Sequence, residues 1–98
     1  MPAYLVARIE VQDAAGFDAY RAAVVPVLAA FGGRYVVRGG ALEVMEGAPP
    51  PGRMVVVEFP TMDAARAFYG SAEYAPVLKM RLDSTASEVV LVEGVLPA

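Results

Sequence analysis

Ninety-eight residues leave room for one small domain, and a chain of this length buries roughly 65% of its unfolded surface on folding. Its 57% hydrophobic content exceeds what one small core can readily hide, which points to association. The net charge of −3, with seven of the eight cations scattered as Arg, argues against the clustered basic patch that nucleic-acid binding requires.

Residues 3–11 alternate with a strand's period of two, Leu5, Ala7, Ile9 and Val11 on one face and Tyr4, Val6, Arg8 and Glu10 on the other. A turn at residues 12–16, with Asp13 as N-cap, leads into a helix reaching about Phe31. Phe17, Tyr20, Val24, Val27, Leu28 and Phe31 recur at helical spacing, and Pro26 is expected to kink or restart the helix. Gly32-Gly33 stops it. A strand over Arg34–Arg38 is interrupted by Gly39-Gly40, as a tight turn or a bulge, and resumes over residues 41–46. A proline loop, residues 48–52, precedes the strongest β signal, Arg53–Phe59. Thr61 then caps a short helix with Asp63 in its first turn and Ala65, Phe68 and Tyr69 directed inward. Gly70-Ser71 breaks it. A third helix begins at Ser71 or near Pro76 and runs to about Leu82, and a last strand spans residues 87–93 and ends at Gly94.

The order β-α-β-β-α-β, with an extra helix before the last strand, is the ferredoxin-like split βαβ arrangement, an α+β fold with an antiparallel sheet and its helices on one face. Parity assigns Leu5/Ala7/Ile9/Val11, Val55/Val57/Phe59 and Val90/Val92 to the helix side. The opposite face receives Tyr4/Val6/Arg8/Glu10, Met54/Val56/Glu58 and Val89/Leu91/Glu93. The middle strand adds either Val36 with Arg34 and Arg38, or Tyr35 with Val37, and then Leu42/Val44/Glu46. A solvated sheet face is mostly polar, whereas this one is about half apolar. It is expected to be covered by a second subunit, with Val6, Val56, Val89 and Leu91 central and Arg8, Glu10, Glu58 and Glu93 forming a polar seam.

Composition also limits the chemistry. Without His, Cys or Trp there is no imidazole base, no Cys/His zinc site, no thiol or disulfide and no His-ligated haem. Neither a metal nor a cofactor is expected. No apolar run approaches the roughly 20 residues that span a bilayer, and Met1-Pro2-Ala3 does not open a signal peptide, so the expected location is the cytoplasm.

Three groups of residues can carry function. Arg38-Gly39-Gly40 can present a guanidinium and free backbone N–H groups to a carboxylate or phosphate, or can simply be a bend needing positive φ. Glu58, and nearer a strand end Glu46, can act as general acid or base if desolvated, or Glu58 can pair with Arg8 or Arg38 across the sheet. Tyr69, Tyr74 and Arg81 follow the second helix, with Tyr74 and Arg81 seven apart and so on one helical face, suited to orienting an acidic or oxygenated ligand. The other reading makes these tyrosines core edges with wet hydroxyls and Arg81 a carboxylate's partner. Tyr20 and Tyr35 read as packing residues.

The chain resembles the bacterial domain of unknown function 1330 family, within the dimeric α/β-barrel superfamily, nearly end to end. The resemblance rests on Gly32-Gly33-Arg34-Tyr35 leading to Arg38-Gly39-Gly40, on Glu46-Gly47, Glu58-Phe59-Pro60, Phe68-Tyr69 with Ser71, Glu73-Tyr74, Arg81, and the closing Val92-Glu93-Gly94. Phe68 stands where many relatives carry Trp. The family implies a ferredoxin-like fold whose two subunits pair their sheets into a barrel, and it implies no activity. Three functions fit: a cofactor-independent enzyme acting on a small acidic or oxygenated molecule, a non-catalytic ligand-binding or sensor domain, and a structural dimer module. A buried unpaired carboxylate in a cavity marks the first, an anion clamp without acid or base the second, and fully paired carboxylates with no cavity the third.

Overall fold

The computed structural model describes residues 1–96. Seven elements follow in chain order: β1 (Ala3–Val11), α1 (Ala14–Ala30), β2 (Arg34–Arg38), β3 (Arg53–Phe59), α2 (Met62–Tyr69), α3 (Ala75–Ser84) and β4 (Thr85–Glu93). The strands form one antiparallel sheet in the order β2-β3-β1-β4, which is the ferredoxin-like topology.

Local chemistry sets the helix ends. The Asp13 carboxylate accepts from the Gly16 amide at the start of α1, and Thr61 Oγ1 accepts from the Ala64 amide at the start of α2. At the end of α1, Gly32 takes a left-handed φ of 78° and donates to Ala29 O, while Gly33 donates to Leu28 O. This pair of bonds is a Schellman cap, and glycine adopts its left-handed position without a Cβ penalty. Pro26 neither kinks nor restarts α1, which is continuous. Its ring lies on the exposed face, where the Ala22 carbonyl deprived of its helical donor can turn to water. Ser71 links α2 to α3, donating to Phe68 O and accepting from the Tyr74 amide, so α3 begins only at Ala75, with Pro76 in its first turn.

The core lies between the sheet and the helices. Leu5, Ala7, Ile9, Val57 and Phe59 project from the sheet against Phe17, Val24 and Leu28 of α1, Phe68 of α2 and Val77 of α3. Phe68 sits among rings, 5.4 Å from Phe59 and 4.3 Å from Tyr74 between centroids.

Two expectations about strands are corrected. Residues 39–52 contain no strand, and Leu42, Val44 and Glu46 lie exposed in that long connection. Three prolines and three left-handed glycines, Gly39, Gly47 and Gly52, disrupt extended pairing there. On β4 the two faces are exchanged. Val6 pairs with Val90 and Tyr4 with Val92, so Val90 and Val92 share the open face, whereas Val89 and Leu91 pack on the core. The run Val89–Val92 is apolar at both parities, and of the polar residues that face the core with Val89, Ser87 only opened the expected strand while Thr85 lies two residues before it. On β2 a bulge between Tyr35 and Val37 defeats both simple parities. It puts Tyr35 and Arg38 on the helix side, and Arg34 and Val37 on the open side.

Candidate functional site

Beneath the helices, the sheet and α1 enclose a pocket of about 550 Å³, its mouth included. Its floor is apolar, built from Leu5, Ala7, Ile9, Val55, Val57 and Val89. Its polar lining consists of Arg21, Arg38, Arg53 and Arg81 with the phenols of Tyr20, Tyr35 and Tyr74, and no carboxylate of the described residues lines it.

Arg81 is the deepest cation, only 3% exposed on α3. Its guanidinium donates to Tyr69 Oη (3.2 Å) and to Ser87 Oγ of β4, and no carboxylate pairs with it among the described residues. Burial works against the charge, but Tyr74, Tyr20 and Tyr69 beside it prevail and hold its pKa above the ordinary guanidinium value. Tyr20 and Tyr74 share a hydrogen bond between hydroxyls at 3.1 Å. Burial, reinforced by Tyr74, drives the Tyr20 phenol far above its usual range, and burial also raises Tyr35. These hydroxyls therefore stay protonated at neutral pH and act as hydrogen-bond partners rather than as bases.

On the opposite side of the floor, the Arg38 guanidinium lies 4.4 Å from the Tyr35 ring centroid and that of Arg53 lies 5.5 Å from Phe17. Arg53 also donates to Arg38 O (3.4 Å), and its Nε is shut away from water without a partner. The guanidinium occupies the space a side chain on Gly39 would need: a Cβ there would lie 2.1 Å from Arg53 Nη2. Gly39 also has a φ of 67°, so a bend requiring glycine and a cation's seat coincide at this residue.

Of the residues singled out from sequence, Arg38, Tyr74 and Arg81 line the pocket, and Tyr69 touches it through its bond to Arg81 from a rim position, not an inward one. Gly39 supports it beneath Arg53, and Gly40 is exposed beside Gly39 with open space where a Cβ would stand. Glu58 and Glu46 lie elsewhere. Glu58 is on the open sheet face, paired with Arg34 at 3.2 Å rather than with Arg8 or Arg38, and Glu46 is exposed in the connection after β2. Arg8 pairs with Glu88 instead. Arg21, Arg53, Tyr20 and Tyr35 were not anticipated as lining. Arg53 shares the parity of Val55, Val57 and Phe59, and that parity was the signal that a cation points inward. No cluster of three or more acidic side chains fit to hold a metal ion exists among the described residues.

The opposite face of the sheet is open. Val37, Val90 and Val92 are exposed and Tyr4, Val6, Met54 and Val56 half-buried, with the Arg34–Glu58 and Arg8–Glu88 pairs towards its edges. With β4 reassigned, its apolar centre consists of Val6, Val56, Val90 and Val92. No helix among the described residues is long and apolar enough to cross a membrane.

Fold and pocket together define a ferredoxin-like α+β protein with a cationic, apolar-floored cavity between sheet and helices. The chain belongs to the family described as domain of unknown function (DUF1330), matched over residues 2–95. No curated protein matches it. Among solved structures it is similar to a protein of unknown function from Rhodopseudomonas palustris, at 19% identity and a TM-score of 0.78 over 98% of this chain and 84% of that one. It is also similar to SnoaB, a cofactor-independent oxygenase from Streptomyces nogalater, at 19% identity and a TM-score of 0.64 over 98% and 95%. A dimeric ferredoxin-like protein of unknown function from Jannaschia sp. CCS1 follows at 15% identity and a TM-score of 0.66 over 96% and 100%. At these identities the likeness is one of fold.

Proposed function

We propose that the chain forms a homodimer through its open sheet face and that each subunit's pocket binds a small acidic molecule with an apolar body. The observation that carries the binding reading is the lining itself, four arginines over an apolar floor, of which only Arg21 has a carboxylate partner, Asp18 at 3.8 Å, among the described residues. A buried guanidinium left without a counter-charge is expensive, and an anion entering the pocket supplies what Arg81 lacks. Each charge-assisted contact to a carboxylate contributes about 1.5–3 kcal/mol. The apolar face centred on Val6, Val56, Val90 and Val92, together with the dimeric Jannaschia relative, supports association of two copies.

Titrating the protein calorimetrically with small aliphatic and aromatic carboxylates, each beside its uncharged amide, tests this reading. The acids are expected to bind at least about tenfold more tightly than their amides, the worth of one such contact. Equal affinity for acid and amide would refute an anion site.

A cofactor-independent enzyme acting on the same acidic or oxygenated molecules is the second reading, favoured by the likeness to SnoaB. Neither Glu58 nor Glu46 faces the pocket, so under this reading they act outside it or not at all, and the pocket contributes Arg81 and the Tyr20–Tyr74 hydroxyl pair. Oxygen consumption in the presence of phenolic acids is its readout.

A further inference from the structure

Three of the pocket's four arginines, those without a carboxylate partner among the described residues, stand at two poles. Ile9 is the register partner of Arg53 on β3 and of Ser87 on β4. Those two positions are therefore two strand spacings apart, roughly 10 Å across the sheet. From its side, Arg53 reaches outward to the Arg38 carbonyl and the seat against Gly39. At the other side, the Arg81 guanidinium is moored to Ser87 and Tyr69. Ala7, Ile9, Val55 and Val89 form an uncharged floor between. Among the described residues no carboxylate pairs with Arg38, Arg53 or Arg81. A guanidinium carries five N–H donors, of which Arg81 spends two on protein hydroxyls, and the Arg53 Nε donor is buried with no partner at all.

A compact monoanion can meet only one of these poles. It would leave the donors of the other pole, such as the buried Arg53 Nε, without an acceptor. We infer that the ligand is a slender dianion with an acidic group at each end and an apolar span between, one end held by Arg81 and the other by Arg53 with Arg38. The uncharged floor of Ala7, Ile9, Val55 and Val89 between the poles matches an apolar span of this kind.

This inference rests on the pocket being an anion site, and the experiment separates the two. Calorimetric titrations of the whole protein compare dicarboxylates from adipate through sebacate with the monocarboxylates hexanoate through decanoate, in the wild type and in Arg53→Met and Arg53→Lys. In the wild type a dicarboxylate of matching length is expected to bind about tenfold or more tightly than the monocarboxylate of equal carbon number, with an optimum along the series. Arg53→Met removes that advantage, bringing the dicarboxylate and the monocarboxylate of equal length within about threefold of each other, while Arg53→Lys, which keeps the charge, retains part of it. Thermal unfolding of each variant confirms that it is folded, and Arg38→Met carries the same comparison if Arg53→Met is not. Equal binding of mono- and dicarboxylates by the wild type overturns the two-pole ligand and leaves the anion site standing. Failure of both series to bind overturns both.

Discussion

Arg81 and Tyr20 show how a pocket made only of arginines and phenols behaves towards protons. Both side chains are held in the protonated form, Arg81 charged and Tyr20 neutral, so neither changes state near neutral pH. Tyr20 does carry a consequence at high pH. Its folded pKa lies above the unfolded value of 10.0, so its contribution to stability is complete below pH 10 and is lost as the pH rises beyond it. Stability followed by chemical denaturation is expected to stay level to about pH 9.5, then to fall by up to about 1.4 kcal/mol per pH unit for this group. The decline should be shallower in Tyr20→Phe, and an unchanged slope would show that the phenol ionises as readily in the folded protein as in the unfolded chain. In the sequence Tyr20 looked like an ordinary helix-face packing residue. Nothing local marked its hydroxyl, because the partner that defines it, Tyr74, is 54 positions away.

At the level of elements, capping chemistry was legible and strand parity was only partly so. Asp13 and Thr61 were readable as N-caps because the signal is local: a short oxygen-bearing side chain ahead of a helical apolar pattern. Thr61→Ala is expected to lower global stability by about 1 kcal/mol in denaturant titrations without displacing the pocket residues, since α2 loses one capping bond and keeps Ala65 and Phe68 in the core. The parity of β1 could be read because Arg8 and Glu10 mark its outer face. For β4 the reading failed because four successive apolar residues carry no alternation, and for β2 because a bulge shifts the phase between Tyr35 and Val37. Those two strands bring Arg38, Tyr35 and Val89 to the pocket, which is why the site was less legible than the fold.

The whole molecule is a slab, 38 × 36 × 16 Å, with helices on one broad side only. Its radius of gyration of 13.6 Å exceeds the about 12.6 Å typical of a chain this long, as expected of a flat rather than a round body. A slab with one bare, half-apolar side explains the high hydrophobic content noted at the outset, since much of the excess lies on that side. Val56 sits at its centre, paired with Val6 and Val37. Val56→Glu puts a charge where the two sheets would meet, and light scattering after size exclusion is expected to change from a dimer mass for the wild type to a monomer mass for the variant. A monomeric wild type at micromolar concentration would refute pairing through this face. The ferredoxin-like order was readable from the succession of elements, because topology depends on their number and kind rather than on exact register.

The exchanged faces of β4 give Arg81 a second role. A strand apolar on both sides gains little hydrophobic energy from one register over the next, so Val89–Val92 alone would tolerate a slip of one residue along β1. Such a slip would turn Ser87 away from the Arg81 guanidinium and break up the hydroxyl cluster that Thr85 forms with Ser87 and the Arg81 carbonyl. The buried cation of the pocket is thus also the key that tells the last strand which way is in.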